Sequence, residues 1–382
     1  MKKIIYYTDT PQLGGAENQL FLLSKFLNKE KFLPILIISN YSHFNKYISK
    51  FEKEGIKTYK INVLHKHDPR HFFQLRDIIK KEKPDLIHLQ LWNPASNRYA
   101  FLASDKTPII TTEHDPFKLS YLKKQIKKRS LKKVAKIITV SEENKKLMTN
   151  LYPEIEEKIE IVHNGIDTTL WKNQILRFTE EERDEIKENL FRAKKDTFII
   201  LTVAELHERK GQKYLINAIP EVITKYPNVK FVFAGDGKEK ENYQKQIKNL
   251  NIERNAILIG KQSNIAKIFK SSDLFVLPSL REAFGLVNVE AMLTPLAVIA
   301  SIKGGIPEIV KDKETGILVQ SKSSKALSNA ILKLISNPEK RLEMAKNGYL
   351  RASKFFDAKI MSEKHEEIYN KTIENAERKI DI

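Results

Sequence analysis

The sequence predicts an α/β fold made of two doubly wound domains. The chain has 382 residues, which is more than a single hydrophobic core organises comfortably. Short apolar runs alternate with longer helical patterns along the whole chain, and this alternation is typical of parallel sheets with helices on both faces. A charged stretch from Lys172 to Lys195 separates two sets of apolar runs. We therefore expect one doubly wound sheet on each side of that stretch.

The apolar runs give the expected strands. In the first domain they are Ile4–Tyr7, Leu33–Ile38, Leu86–Leu89, Ile109–Thr112 and Ile137–Val140. In the second domain they are Phe198–Val203, Lys230–Ala234, Ala256–Ile259, Leu274–Leu277 and Ala297–Ala300. The chain closes with a charged helical pattern that ends near Glu377. We expect a first domain over residues 1–170, a linker over 171–195, a second domain over 196–355 and a C-terminal helix within 356–382.

The composition is that of a globular protein. Hydrophobic residues make up 41% of the chain and there is no Cys, so we expect neither a disulfide framework nor a thiolate metal site. The apolar stretch at the N-terminus is too short for a signal peptide, and no apolar run approaches the ~20 residues of a membrane span. We expect a cytoplasmic protein, soluble or peripheral on the inner face of the cell membrane.

The formal net charge of +19 suggests a polyanionic partner, namely a membrane surface, a nucleic acid or an anionic substrate. The simpler interpretation is a composition that uses Lys as its general surface residue. A nucleic-acid-binding protein would be expected to show a recognised module or a stripe of aromatic and basic residues, and neither is present. We therefore expect no nucleic-acid partner.

One segment concentrates the positive charge. Nine of the nineteen residues from Lys118 to Lys136 are Lys or Arg, and none is acidic. Leu119, Leu122 and Ile126 lie on one face of the predicted helix, and we expect them to pack in the core. Two interpretations stay open: a solvated Lys-rich helix, or a surface that faces an anionic membrane carrying a lipid-linked acceptor.

The most informative segment is a pair of carboxylates around a Phe-Gly-Leu turn. Glu282 and Glu290 stand eight positions apart. Gly285 opens a predicted helix over Leu286–Leu293, which contains Glu290 and is otherwise apolar almost all round. The amides of Phe284, Gly285 and Leu286 would lie at its N-terminus, where a phosphate binds well. The two carboxylates could accept hydrogen bonds from hydroxyls on either side, so the segment suggests a nucleotide sugar. The simpler interpretation is that Glu282 caps the helix and Glu290 lies on its solvent edge.

This segment resembles the Glu-x7-Glu motif of the retaining glycosyltransferases of family 4, also called group 1, which have the GT-B fold. The resemblance implies two Rossmann-like domains facing a cleft, with the C-terminal helix crossing back to the first domain. It implies that Glu282 and the Phe-Gly-Leu backbone meet the donor sugar and diphosphate. Glu290 would meet the ribose hydroxyls.

Other motifs match the family in the right order. Gly14 and Gly15 follow the first strand and resemble the Gly-Gly-Ala-Glu loop that meets the donor diphosphate and the acceptor. His114 follows a strand at the position of a family His that touches the donor sugar. Gly260 and Lys261 lie where the family backbone meets the nucleotide base. A lone Gly-Gly pair or a lone His is a weak signal, but the ordered set extends over nearly the whole chain.

The opening of the second domain departs from the family pattern. The segment Val203–Gly211 resembles Val-Gly-Arg-Leu-x-x-x-Lys-Gly, in which the Arg and the Lys clamp the donor diphosphate. Lys210 matches the Lys, but Glu205 stands where the family has Arg. Because an acid repels a diphosphate unless a cation neutralises it, we expect Arg209 or Lys210 to pair with Glu205, or Arg209 to take over the cationic role.

The resemblance implies a retaining, metal-independent hexosyltransferase. It would move a hexose or N-acetylhexosamine from a nucleoside diphosphate sugar, with UDP favoured, to a glycan or lipid-linked acceptor. The expected setting is cell-surface polysaccharide, lipopolysaccharide or glycolipid assembly. No Asp-x-Asp metal signature is present and no cofactor is expected beyond the nucleotide sugar itself. The alternative is a basic membrane-peripheral or nucleic-acid-binding α/β protein without transferase activity.

Overall fold

A computed structural model of the chain describes residues 1–10, 13–65, 67–91, 98–116 and 119–378. The chain forms two compact units. The first contains Met1–Gly165 together with the C-terminal helix, and the second is Ile166–Asp357. No helix within the described ranges is both long and apolar enough to cross a membrane.

The first unit contains a parallel sheet of seven strands within the described residues. The strands are β1 (Lys2–Thr8), β2 (Phe32–Ser39), β3 (Lys57–Ile61), β4 (Leu86–Leu91), β5 (Ile109–Glu113), β6 (Lys136–Thr139) and β7 (Ile159–Ile161). Their order in the sheet is β3-β2-β1-β4-β5-β6-β7. The winding direction reverses between β1 and β4, and ligands bind open α/β sheets at the carboxyl ends of the strands beside such a reversal.

Helices cover both faces of this sheet. They are α1 (Gly15–Phe26), α2 (Asn45–Lys53), α3 (Arg70–Glu82), α4 (Arg98–Ala103), α5 (Tyr121–Lys133) and α6 (Glu142–Leu151), with short 3₁₀ turns at Ser42–Phe44 and Pro153–Lys158. Successive residues of β1 enter separate cores, with Ile4 and Tyr6 on one face and Ile5 and Tyr7 on the other. Both faces of the strand are therefore buried, as in other parallel sheets.

The second unit repeats this architecture with six parallel strands. They are β8 (Phe198–Val203), β9 (Val229–Ala234), β10 (Ala256–Gly260), β11 (Leu274–Leu277), β12 (Val298–Ser301) and β13 (Gly316–Val319), in the order β10-β9-β8-β11-β12-β13. The helices are α7 (Thr168–Leu176), α8 (Glu180–Glu185), α9 (Gln212–Lys225), α10 (Lys240–Asn249), α11 (Ile265–Lys270), α12 (Leu286–Leu293), α13 (Ile306–Ile309), α14 (Ser324–Ser336) and α15 (Pro338–Phe355), with a π turn at Ile186–Leu190 and a 3₁₀ turn at Glu208–Lys210. The predicted pair of doubly wound sheets is confirmed.

The charged segment 171–195, where the sequence suggests a linker, contains helices that pack within the second unit. Trp171 is buried, and its Nε1 donates to Thr294 Oγ1 at 3.0 Å. Phe191, at the other end of the segment, is also buried. Lys187 is buried as well, and its Nζ donates to the carbonyls of Lys195 and Thr197 at 3.0 and 3.1 Å. These buried side chains attach the segment to the unit.

The last helix, α16 (Ala358–Arg378), belongs to the first unit and packs on α1. Its side chain Tyr369 is buried against β1 and β4, where its hydroxyl lies 2.6 Å from His88 Nδ1 and 3.3 Å from Tyr6 Oη. A return of the C-terminal helix to the first domain is the arrangement that the sequence resemblance implies.

The basic helix α5 differs from the expectation in which side chains it buries. Leu122 and Ile126 are 71% and 43% exposed, so the prediction that they pack in the core is wrong. Instead α5 contacts the sheet through Leu131 and Lys127, and Lys127 Nζ lies 2.7 Å from the buried carboxylate of Glu113 at the end of β5. That ion pair sets the rotation of the helix and turns the two aliphatic side chains outward. Leu119 is half-buried, and Lys118 lies outside the described residues.

Candidate functional site

The strongest grouping of predicted residues lies in the second unit, between β11 and α12. Glu282 sits in the loop that joins them, and its Oε2 lies 2.6 Å from Lys210 Nζ. The hydroxyl of Ser279 also donates to this oxygen, at 3.1 Å. The side chains of Lys210 and Glu282 are only 12% and 11% exposed. Two residues that the sequence proposes separately for phosphate and for sugar are thus joined as an ion pair.

Close backbone packing fixes the position of this pair. A Cβ on Gly304 would come within 1.5 Å of the Glu282 carbonyl oxygen, and one on Gly211 within 2.0 Å of the Pro278 carbonyl oxygen. The amide of Leu280 donates to the Arg209 carbonyl at 2.8 Å. Three chain segments from different parts of the sequence therefore meet at distances that only glycine allows.

The helix after the loop begins as predicted. Gly285 has φ +97°, a left-handed conformation that favours glycine, and α12 starts at Leu286. The ring of Phe284 is buried against Phe356, with ring centroids 5.7 Å apart, so the side chain anchors the loop in the core. The backbone of the Phe-Gly-Leu turn is left as the candidate phosphate-binding element.

Glu290 lies one turn into α12 and is partly exposed. Desolvation of its carboxyl by burial raises the pKa to about 7. Within the described part of the chain, the carboxylate makes no ion pair or hydrogen bond that would offset this desolvation. A ligand hydroxyl is therefore a candidate partner for this carboxylate.

Glu205, which stands where the family pattern has Arg, is neutralised by Arg209. Arg209 Nη2 lies 2.8 Å from Glu205 Oε2, and this contact lowers the pKa of Glu205. Of the alternatives that the sequence left open, Arg209 is the partner of Glu205, and Lys210 pairs with Glu282 instead. Both members of the Arg209–Glu205 pair are close to half exposed, so the pair is open to rearrangement.

Gly260 and Lys261 lie at the same carboxyl edge of the sheet, but β9 and β8 separate their strand from β11. Gly260 ends β10 with φ +70°, and its carbonyl accepts from the amide of Gly235 at 2.9 Å. The side chain of Lys261 is exposed. The structure does not bring these two residues into the cluster around Glu282.

In the first unit, His114 follows β5 at the carboxyl edge of the sheet. Its Nε2 lies 2.6 Å from Gln90 Oε1, and its carbonyl accepts from Asn144 Nδ2 at 2.9 Å. Desolvation lowers the pKa of His114 to about 4, and the nearby His365 adds to the effect. The imidazole is therefore neutral at physiological pH and can offer one donor and one acceptor.

The Gly-Gly loop of the first unit uses part of its hydrogen-bonding capacity internally. The amide of Gly14 donates to Glu17 Oε2 at 2.7 Å, and Gly15 begins α1. The side chain of Glu17 is buried, and desolvation raises its pKa. A ligand at this helix N-terminus would have to share or displace the contact between Gly14 and Glu17.

Sequence reasoning did not single out Gln90, Asn144 or Ser279 as site residues. A signal for Gln90 was available, because β4 and β5 are neighbours and polar residues at the carboxyl ends of adjacent parallel strands lie close together. Ser279 lies only three positions before Glu282, so its contact with that carboxylate is local and within reach of sequence reasoning. Gly304 approaches Glu282 through long-range packing, which gives no local pattern. Among the described residues, no group of three His, Asp or Glu side chains is placed to hold a metal ion.

Gly304→Ala is expected to destabilise the second unit by more than its backbone conformation alone explains. Gly260 of the same unit provides the matched control, because it also has positive φ but has open space where a Cβ would be. The left-handed conformation costs about 1–2 kcal/mol at either position. At Gly304 the overlap with Glu282 adds about 1–3 kcal/mol. Urea denaturation measures both free energies of unfolding, and equal losses would contradict the close approach.

Two family models match this chain, one for each unit. "Glycosyltransferase Family 4" matches residues 13–170, and "Glycosyl transferases group 1" matches residues 182–351. The chain is 27% identical over 328 residues to spore coat protein SA of Bacillus subtilis (strain 168), covering 81% of this chain and 85% of that protein.

Two further proteins extend the comparison. The chain is 25% identical over 357 residues to the UDP-Gal:alpha-D-GlcNAc-diphosphoundecaprenol alpha-1,3-galactosyltransferase of Escherichia coli, covering 87% of each. The crystal structure of Anabaena Alr3699/HepE in complex with UDP superposes with a TM-score of 0.83 at 21% identity, covering 97% of this chain and all of that one. The two matched families and the two doubly wound sheets lead to one conclusion: the chain belongs to the group 1 (family 4) glycosyltransferases and has their GT-B fold.

Proposed function

We propose that the protein transfers a hexose or N-acetylhexosamine from a UDP-sugar to an acceptor hydroxyl, with retention of the anomeric configuration. The observation that carries the proposal is the Lys210–Glu282 ion pair beside the N-terminus of α12. It places a cation and a hydrogen-bond acceptor side by side, next to backbone amides. A sugar diphosphate needs this combination, because its phosphates attract the cation and its hydroxyls donate to the carboxylate.

Binding of the donor exchanges partners within this pair. Lys210 turns from Glu282 to a phosphate oxygen, and the amides of Phe284, Gly285 and Leu286 supply further positive potential. Glu282 then accepts hydrogen bonds from hydroxyls of the sugar. Each charge has a partner both before and after binding, so neither is left buried alone.

The other donor contacts follow the same chemistry. Glu290 accepts hydrogen bonds from the ribose hydroxyls, for which its lack of a partner in the described residues leaves it available. Arg209 holds Glu205 and so removes the repulsion that an acid would exert on the diphosphate. Gly260 and Lys261 meet the nucleotide base. In the first unit, Gly14 and Gly15 contact the diphosphate and acceptor, and His114 contacts the sugar.

The reaction breaks the bond between the anomeric carbon and the diphosphate oxygen, and it forms a bond to the acceptor oxygen on the same face. The acceptor proton passes to a phosphate oxygen of the leaving diphosphate. Lys210 and the N-terminus of α12 stabilise the negative charge that develops on this group. These protein charges take the part that a bridging cation has in other transferases, so we include metal independence in the proposal.

Relatives support the choice of donor and acceptor. The Anabaena protein binds UDP in its crystals, and the Escherichia coli relative is named for a UDP-galactose donor and a lipid diphosphate acceptor. We therefore assign this chain a UDP-sugar donor and a glycan or lipid-linked acceptor, in cell-surface polysaccharide, lipopolysaccharide or glycolipid assembly.

Helix α5 supports a peripheral position on an anionic membrane. Tyr121 and Leu122 are 79% and 71% exposed, and Ile126 is 43% exposed. Exposed cations alternate with them on the same outward side, including Lys123 and Arg129. Aromatic and aliphatic side chains beside cations suit the interface of an anionic leaflet.

The central test of the function is binding of UDP to the Lys210→Ala variant, measured by isothermal calorimetry in EDTA with a parallel series in Mg²⁺. We expect affinity for UDP to fall about tenfold to hundredfold, because a hydrogen bond between charged groups is lost at roughly 1.5–3 kcal/mol. Affinity for uridine should change little. Lys213→Ala, an exposed neighbour, is the matched control.

A double-variant cycle sharpens this test. In a Glu282→Gln background, Lys210→Ala should cost less, because no unpaired carboxylate then faces the diphosphate. Equal losses for UDP and uridine would contradict the phosphate contact. Absence of binding to UDP-, GDP- and ADP-sugars alike would favour the alternative of a basic protein without transferase activity.

Uridine affinity should increase as the pH rises from about 6 to about 8. The pKa of Glu290 is near 7 in the free protein, and only the ionised carboxylate accepts from both ribose hydroxyls. Binding therefore favours loss of the proton and lowers this pKa in the complex. Uridine has no phosphate that titrates in this range. Glu290→Gln should make the affinity independent of pH, and an unchanged slope in that variant would refute the ribose contact.

Liposome co-sedimentation tests the membrane surface. Replacing Lys123, Arg129, Lys132 and Lys133 by Ser should reduce binding to anionic vesicles strongly, since each cation near such a surface contributes about 1 kcal/mol. Lys127 is left unchanged because its ion pair is structural. Replacing the exposed Lys225, Lys245, Lys248 and Lys333 of the second unit removes the same charge and should have little effect. Equal losses in the two variants would mean that only net charge matters.

A further inference from the structure

We propose that Gln90 is a positioning residue that holds His114 in a single tautomer, with the proton on Nε2 and the lone pair on Nδ1. The inference rests on the proposed role of His114 at the donor sugar. It adds that His114 acts there as a hydrogen-bond acceptor for a hydroxyl and not as a donor to a phosphate oxygen.

The register of the sheet brings the two side chains together. Gln90 on β4 pairs with Thr112 on β5. His114 lies two residues beyond Thr112, at the carboxyl edge of the sheet. Gln90 is buried at 6% exposure, and its Oε1 lies 2.6 Å from His114 Nε2. An amide oxygen has no proton to give, so the imidazole nitrogen that bonds to it must be the protonated one.

The surroundings keep the ring neutral, so that only the choice of tautomer is left. His88 and His365 lie in the same interior, and the pKa values of all three imidazoles are depressed by desolvation. A ring that does not take a second proton must carry its lone pair on one nitrogen. With Nε2–H committed to Gln90, that nitrogen is Nδ1.

The other buried histidines show why Gln90 matters. His365 Nδ1 lies 2.8 Å from the carbonyl of Met361, which also only accepts, so its tautomer is fixed by the backbone. His88 contacts the hydroxyls of Tyr369 and Thr112, which can each donate or accept. For His114 the fixing group is a side chain, and it can therefore be changed without altering the backbone.

The backbone of His114 is held separately. Asn144 on α6 donates to the His114 carbonyl at 2.9 Å, and its own amide is capped by Ser141 Oγ at 3.1 Å. Substitution of Gln90 should therefore allow either ring nitrogen of His114 to carry the proton, while the backbone of His114 stays in place. A small cavity lined by Gln19, Thr112, Asn164 and His365 adjoins the ring and can receive a shorter or apolar side chain at position 90.

Imidazole nitrogen NMR of the full-length ¹⁵N-labelled protein at pH 7.5 tests the tautomer directly. The signals of His114 are identified by their loss in His114→Ala. In the wild type we expect Nε2 in the protonated range and Nδ1 in the unprotonated range. In Gln90→Leu both should move toward the average of the two tautomers, while the signals of His88 and His365 stay in place. Gln19→Leu, which changes a glutamine in the same cavity, should leave the His114 pattern unchanged.

Activity gives the second readout. In Gln90→Leu, the turnover number for UDP-glucose hydrolysis or transfer should fall about tenfold or more, with KM within about twofold. Gln90→Glu keeps an accepting oxygen and should restore the wild-type tautomer and part of the turnover. A wild-type His114 with its proton on Nδ1, or an unchanged pattern in Gln90→Leu, would overturn the inference. The NMR result needs no substrate, so a failure of the proposed function would show as absent turnover with the tautomer still fixed.

Discussion

The ion pair between Lys210 and Glu282 is the interaction on which the candidate donor site depends. Both charges are mostly removed from water, and the cost of that removal is offset only while each keeps a partner of opposite charge. Close backbone contacts at Gly211 and Gly304 hold the chain segments that carry Lys210 and Glu282 next to each other. A ligand that offers both an anion and hydroxyl donors can replace the pair without leaving a charge unmatched.

Local neutrality recurs at the predicted site residues, although the chain carries a net charge of +19. Glu205 is matched by Arg209, and His114 is uncharged because its surroundings depress its pKa. The excess of positive charge lies on outward faces such as that of α5 instead. In the proposed function, attraction to polyanions and recognition of a donor are therefore assigned to different residues of one chain, and salt should weaken the first far more than the second.

Structural features could be predicted from the sequence where neighbouring residues in the chain determine them. The central strands, apolar on both faces, were predicted correctly. The edge strands β3, β7 and β13 were not among the predicted strands, because they are short or carry polar residues, as edge strands do. Helix α12 and its glycine start were predicted to the residue. The pairing of Lys210 with Glu282, 72 positions apart, could not be foreseen from spacing. The rotation of α5 was predicted wrongly because its buried contact to β5 is a lysine, which polarity alone assigns to solvent.

The path of the chain has a consequence for how the protein assembles. The second unit is one continuous segment, so it can complete its core once residues up to Asp357 are available. The first unit cannot complete its core at that point, because Tyr369, whose hydroxyl contacts Tyr6 and His88, is supplied by α16, which follows the second unit in the chain. During synthesis one face of the N-terminal sheet therefore stays partly uncovered until α16 is made, and the second unit can complete its core before the first. Loss of helix α16 would accordingly destabilise the first unit and leave the second unit largely intact.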